Sequence, residues 1–346
     1  MKYSRVCLHS FGYELPPNVV TSADLEQQLS SVYRRLKLPE GRLELMSGIR
    51  SRRFWNPETL PSEGAILAGR KALLASGLIA SDIDFMVFTS VSRDMMEPAT
   101  ASFVHNGLGL GSRCQIFDIS NACLGFLNGM LMLANMIELG QVRYGLIVAS
   151  ETAEDLVCST IEKLQADEAL TRKTIKPAFA SLTIGSGAVA LVMGSKKVQD
   201  TGHRLVGGSW RANTRHNDLC HGGQQQEEVQ GTLMTTDSEL LLEKGVETAE
   251  FCWQDFQKET GWDKEKIDRF FCHQVGQAHA RKLFSTLELD PERNFETLPV
   301  LGNVGSVSAP ITMAMGIEKG KLKKGQRGAL LGIGSGINSV MLGIEW

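Results

Sequence analysis

One cysteine of the chain stands where a cysteine becomes a nucleophile: Cys123, within Asn121-Ala122-Cys123-Leu124-Gly125. The segment Gln115 to Ile119 reads as a strand leading into it. The apolar stretch Leu124 to Leu139 reads as a helix leading out. Leu124, Leu127, Leu131 and Met132 recur at the three-to-four spacing of a buried helical face. Cys123 is therefore expected at a strand-to-helix turn, near the free N–H groups and positive dipole end of a helix. Both favour a thiolate and lower the thiol pKa. Gly125 is expected to leave room for a substrate to come close. A small buried hydrophobe, the ordinary fate of a free cysteine, fits the same position.

A thiolate can take the acyl group of a thioester to give an acyl-cysteine, through an oxyanion that needs fixed donors. The Cys123 N–H is one candidate donor, and the turn Gly334-Ser335-Gly336 offers others at Ser335 and Gly336. His273 follows the apolar run Phe270-Phe271-Cys272 and precedes Gln274 and Gly276, as a residue at the open end of a strand would. A lone histidine is otherwise most often a satisfied core residue. Asn303 sits between small-residue turns in Leu301-Gly302-Asn303-Val304-Gly305-Ser306, where it can serve as a turn residue or an amide donor.

The elements that must position these residues alternate between strand-like and helical, which predicts α/β architecture. Phe85 to Thr89 and Gly145 to Ala149 are short apolar runs of the buried-strand type, preceded by helical segments at Ala65 to Ala75 and Leu124 to Leu139. The chain repeats itself. Ile83 to Val91 parallels Ile267 to Val275, and Tyr144 to Ala149 parallels Arg327 to Gly332 at nearly the same separation. Such constancy is the mark of a duplicated βαβ-rich half. Two halves are expected, residues 1–195 carrying Cys123 and residues 196–346 carrying His273 and Asn303, with the three meeting at the pseudo-twofold axis. Arg211 to Thr236, rich in Gly, Gln and Asn, reads as a long surface or channel-lining loop.

Composition excludes several classes. The 346 residues are 42% hydrophobic and 22% charged, the balance of a globular domain with a substantial core. A net charge of -3 gives no reason to expect nucleic acid or an anionic membrane as partner. No signal peptide or apolar span is evident. The seven cysteines form no CxxC pair, so neither a zinc site nor a disulfide framework is expected and a cytoplasmic location is the simplest reading. His216 and His221, near Asp218 and Cys220, are the nearest approach to a metal cluster, and no metal is expected there.

Three separated pieces, Asp118 to Gly125, Phe271 to Val275 and Leu301 to Ser306, resemble the cysteine, histidine and asparagine motifs of the thiolase-fold condensing enzymes of the ketoacyl-ACP synthase III type. The resemblance covers essentially the whole chain. It implies a thiolase-like fold of two duplicated halves in five αβαβα layers, an acyl-Cys123 intermediate, and His273 and Asn303 as donors to a thioester oxygen. It also implies a homodimer and no cofactor beyond coenzyme A thioesters. Thr89 to Asp94, Glu97 to Ser102, Asn121 to Met130 and the ending Leu330 to Gly336 are most similar to the OleA type, which condenses two fatty acyl-CoAs head to head. That type implies Glu97 as a base entering the partner's active site, because an unactivated acyl-CoA must lose an α-proton. A solvated loop glutamate is the ordinary alternative. Arg42 and Met46 stand where synthase III enzymes carry residues that hold adenine, which departs from that pattern. Arg50, Arg52 and Arg53 are candidates for CoA phosphates, or a solvated basic face. Two other readings stay open: a decarboxylating synthase III that draws on malonyl-ACP, with acyl carrier protein as a partner, and a non-catalytic binding subunit.

Overall fold

The computed structural model describes residues 1–224 and 231–346. The chain opens with β1 (Val6–Glu14), β2 (Asn18–Thr21), helices α1 (Ser22–Gln28), α2 (Ser30–Leu36) and α3 (Arg42–Ser47), and β3 (Ser51–Phe54). There follow α4 (Pro61–Ser76), β4 (Phe85–Phe88), α5 (Thr100–Leu108), β5 (Gln115–Asp118), α6 (Gly125–Glu138), β6 (Tyr144–Glu151), α7 (Glu154–Ala166) and β7 (Gly187–Ser195). Beyond these come β8 (Arg204–Ala212), β9 (Cys220–Gln224), β10 (Thr232–Thr236), α8 (Ser238–Thr260) and β11 (Arg269–Cys272). The chain closes with α9 (Gln277–Thr286), α10 (Leu298–Leu301), α11 (Ser308–Glu318), β12 (Arg327–Gly334) and β13 (Asn338–Glu345).

Among the described residues, nine strands form one mixed sheet in the order β11-β12-β13-β8-β1-β7-β6-β4-β5. β4 pairs in parallel with β5 and β6, and β11 in parallel with β12. The two half-sheets meet where β1 and the residues before it run beside β8, with Cys7 opposite Arg204 and Lys2 opposite Gly207. Side-chain alternation then builds the layers. Phe85, Val87, Ile147 and Ala149 face α6 and α11, as do Leu330, Val340 and Leu342 from the other half-sheet. Met86, Phe88, Leu146 and Val148 face α4 and α5. Phe270, Cys272, Ala329 and Leu331 face α8 and α9. The result is five layers, helix–sheet–helix–sheet–helix, with α6 and α11 as the central one. Strands buried on both faces read as unbroken apolar runs, which is why β4 and β6 were legible in the sequence.

One strand end also starts a helix. The Asp118 carboxylate at the end of β5 accepts the N–H groups of Thr100 (2.9 Å) and Ala101 (2.8 Å), negative charge placed on the first turn of α5. This holds the segment that carries Glu97 beside β5, the edge of the sheet.

The stretch Arg211 to Thr236 departs from the loop expected of it. β8 continues to Ala212, and β9 and β10 form an antiparallel hairpin from Cys220 with Thr236 to Gln224 with Thr232. Backbone pairing tolerates Gly222 and Gly223, and Thr232-Leu233-Met234-Thr235-Thr236 supplies the β-forming partner. Residues 225–230 of that stretch lie outside the described residues.

Gly12 on β1 lies against α4 so closely that a Cβ there would run into the Ala68 carbonyl oxygen and the Ala72 nitrogen. Gly12→Ala should cost about 1–3 kcal/mol of stability as overpacking. It should lower the urea midpoint with an unchanged slope.

Candidate active site

The turn that carries Cys123 is wound tightly. Leu124 N–H donates to Asn121 O at 2.9 Å. Ala122 is held at φ 46°, in the left-handed region, which costs a non-glycine residue about 1 kcal/mol. Side-chain amides hold the turn in place: Asn121 Nδ2 donates to Asn128 Oδ1 (2.8 Å), and Asn338 Nδ2 to Asn121 Oδ1 (3.4 Å). Gly125 is needed for packing. A Cβ there would strike the Thr89 carbonyl oxygen at the end of β4.

Cys123 itself is half-buried, two residues before α6. Its thiol does not follow the sequence expectation. Burial pushes its pKa up to about 12, and the negative charge of Glu151 and the nearby Cys220 push in the same direction. Only its own N–H lowers it. Desolvation outweighs the helix end, so the resting group is a thiol.

His273 follows β11, and its N–H donates to Leu331 O on β12 (2.8 Å). β12 ends in the glycine turn that lies on the cysteine, since a Cβ at Gly334 would stand 3.7 Å from Cys123 N. Both ring nitrogens of His273 are buried without a hydrogen-bond partner among the described residues. Burial lowers its pKa to about 4, with His279 on α9 adding to the effect. The imidazole is neutral at pH 7, and neither of its nitrogens is engaged by a protein group among the described residues.

Asn303 is placed through the same end of the molecule. Gln274, next to His273, accepts the N–H groups of Thr297 (3.0 Å) and Leu298 (2.7 Å) with Oε1 and so fixes the start of α10. α10 leads through Gly302 to Asn303, whose N–H donates to Thr183 O and whose carbonyl accepts from Gly185 N–H, each at 2.9 Å. Asn303 Oδ1 accepts Gly305 N–H (3.1 Å), which leaves the amide NH₂ as the group able to donate.

Two residues that sequence reasoning missed tie these pieces together. Ser306 Oγ donates to Thr89 O (2.6 Å) and accepts Phe126 N–H (3.0 Å), joining the Asn303 loop to the start of α6. Glu151, at the end of β6 and only 5% exposed, accepts from Val91 N–H (3.0 Å), Ser306 N–H (3.2 Å), Ser92 N–H (3.0 Å) and Ser92 Oγ (2.8 Å). Burial raises its pKa, against the pull of these donors. An acid closing an otherwise uncharged buried strand was the available signal.

The remaining candidates are more scattered. Glu97 is exposed, as is its neighbour Met96 (93%). Ser335 and Gly336 are half-buried in the turn after β12. The three arginines do not share a basic face, because strand alternation separates Arg52 from Arg53. Arg50 is exposed. Arg52 is wholly buried, with Nη2 donating to Ser22 Oγ (3.1 Å) and its pKa lowered by burial to about 10. Arg53 donates to Pro16 O (2.8 Å). Arg52 is thus withdrawn from any solvent-facing phosphate site.

Known proteins share this arrangement. The family model for 3-oxoacyl-[acyl-carrier-protein] synthase III matches residues 117–166, and its C-terminal companion matches residues 257–346. An acyl-CoA:acyl-CoA alkyltransferase from Shewanella oneidensis is 41% identical, over 100% of both chains. The chain belongs to the OleA family of acyl-CoA:acyl-CoA alkyltransferases. The crystal structure of a glutamate-to-glutamine variant of Xanthomonas campestris OleA superposes with a TM-score of 0.94 at 34% identity, covering 100% of this chain and 98% of that one. A 3-oxoacyl-(acyl carrier protein) synthase III from Xanthomonas oryzae superposes equally well, with a TM-score of 0.94, 36% identity and 100% of both chains covered. The chain is accordingly a condensing enzyme of the acyltransferase class with a thiolase-like fold. Among the described residues, no helix is long and apolar enough to cross a membrane.

The depressed pKa of His273 makes stability depend on pH. Between about 4, its folded value, and 6.5 the unfolded chain binds more protons at this site, so stability rises with pH across that window. The contribution is about 1.4 kcal/mol per pH unit. His273→Asn should flatten that part of the pH–stability curve, measured by calorimetry from pH 4 to 7.

Proposed function

We propose that the enzyme joins two acyl-CoA molecules by a non-decarboxylative Claisen condensation. The observation that carries this reading is the unpartnered, buried His273 imidazole at the sheet end that abuts the Cys123 turn. In the first half-reaction the Cys123 thiol gives its proton to His273 as Sγ bonds to the thioester carbonyl carbon. The oxyanion is held by backbone N–H groups of Cys123 and the Ser335-Gly336 turn. Coenzyme A leaves with the proton, and Cys123 is acylated.

A second acyl-CoA then binds with its thioester oxygen toward His273 and the Asn303 NH₂. Glu97 of the partner subunit removes its α-proton. The α-carbon bonds to the acyl carbonyl carbon, Cys123 Sγ departs and recovers a proton, and a β-ketoacyl-CoA is released. No cofactor enters these steps. Residues 1–195 supply the nucleophile, its own N–H donor and the base, and residues 196–346 the remaining donors.

A second copy of the chain is part of this reading. Glu97 is exposed in one chain, it adjoins the sheet-edge strand β5, and exposed Met95 and Met96 precede it. An unpaired edge with an apolar neighbour suits a homodimer. Arg50 remains the one arginine of its trio free to meet a CoA phosphate.

A decarboxylative synthase III reaction is the second reading, favoured by the Xanthomonas oryzae neighbour. Two variants separate them. Cys123→Ala should abolish acyl adduct formation on the intact protein. Glu97→Gln should keep the adduct while condensation of acyl-CoA falls by at least ~10²-fold. Condensation that proceeds only when a malonyl thioester is supplied would establish the second reading.

A further inference from the structure

The geometry points to Glu151 as a positioning residue that ties the Asn303 loop of its own site to the root of the segment whose Glu97 reaches the partner's site. This rests on the reading of Cys123 as the nucleophile. Glu151 has no room to touch a substrate, since all four of its contacts are filled by protein donors. Those donors come from two separate places. Val91 and Ser92 begin the segment that runs to Glu97. Ser306 belongs to the loop of Asn303. Gly305, between Asn303 and Ser306, packs onto the carboxylate so tightly that a Cβ there would sit 3.1 Å from Oε1. One buried carboxylate thus anchors the amide donor of its own site and the root of the segment that carries Glu97 to the partner's.

The same charge acts on the nucleophile. The titratable groups that face Cys123 are Glu151 from the end of β6 and Cys220 from the start of β9, and both oppose its ionisation. Glu151 holds the groups that handle the second acyl chain, the Asn303 amide in its own site and Glu97 in the partner's, and its charge gives a second readout at Cys123.

Glu151→Gln keeps the side-chain size but removes the charge and sets an NH₂ against the Ser92 N–H donor. The pH midpoint for iodoacetamide alkylation of Cys123, followed by peptide mass spectrometry, should move down by about one unit as a facing like charge is lost. Acyl-Cys123 should still form from acyl-CoA. Condensation should fall at least about tenfold, the equivalent of one lost charge-assisted hydrogen bond. Glu151→Asp, which keeps the charge but not the reach, should leave the alkylation midpoint at the wild-type value and still lose condensation.

An unchanged midpoint in Glu151→Gln, an equal shift in Glu151→Asp, or wild-type condensation in either variant overturns the proposal. If Glu151→Gln does not fold, Ser92→Ala decides. It keeps the charge and removes the hydroxyl that donates to Glu151 Oε2 (2.8 Å), so it should lose condensation with an unshifted midpoint, and full condensation overturns the proposal. Absence of any acyl-Cys123 in the wild-type enzyme would instead reject the functional reading, and the alkylation midpoints would still report on Glu151.

Discussion

The Ser306 hydroxyl is the smallest part on which the rest of the site depends. It bonds at once to the end of β4 through Thr89 O and to the start of α6 through Phe126 N–H. Its own loop carries Asn303 into α11. The two central helices approach each other there between two half-sheets, and Gly125 is the residue that makes the approach possible. Any side chain at Gly125 would strike Thr89 O and lie 3.3 Å from Ser306 Oγ. The position of Cys123 is therefore set by close packing of the start of α6 on the end of β4 and by the Ser306 hydroxyl reaching in from the other half, not by the local turn alone.

Burial at that junction sets the resting chemistry. Removing water raises the thiol of Cys123 and lowers the imidazole of His273, because each change disfavours a charged form. The unliganded site holds a neutral thiol and a neutral imidazole instead of an ion pair. On the proposed mechanism, charge then develops only when a thioester is bound, in a place where fixed N–H donors replace the missing water. The arrangement keeps an uncharged cysteine less reactive toward other electrophiles.

Much of this was legible in the sequence because periodicity and local turn chemistry report burial. β4, β6 and α6 lie where their apolar patterns put them, and Cys123 falls on the strand-to-helix boundary. What was not legible depended on distant partners. Glu151 looks like a strand-end acid, and its donors are 59 to 155 residues away. The thiol pKa was read from the helix start, a local effect, and tertiary burial reversed it. Arg52 was grouped with its neighbours as a basic face, but strand alternation turned it into the interior. Gly222 and Gly223 suggested a loop, and pairing with Thr232 to Thr236 made a strand.

Glu151 and Glu97 show how one side-chain type serves two ends. Every lone-pair direction of Glu151 is engaged by an N–H or O–H donor, so its carboxylate is held in place and shut off from substrate, although burial raises its pKa. Glu97 has no such donors among the described residues, and it stands in solvent beside the sheet edge. A carboxylate in water is a weak base toward a carbon acid, and it becomes a stronger one only when it is desolvated without being hydrogen-bonded. In the proposed dimer, seating the Glu97 loop in the partner's active site would supply that condition. In that arrangement dimerisation would complete the catalytic chemistry as well as bury the methionines that flank it.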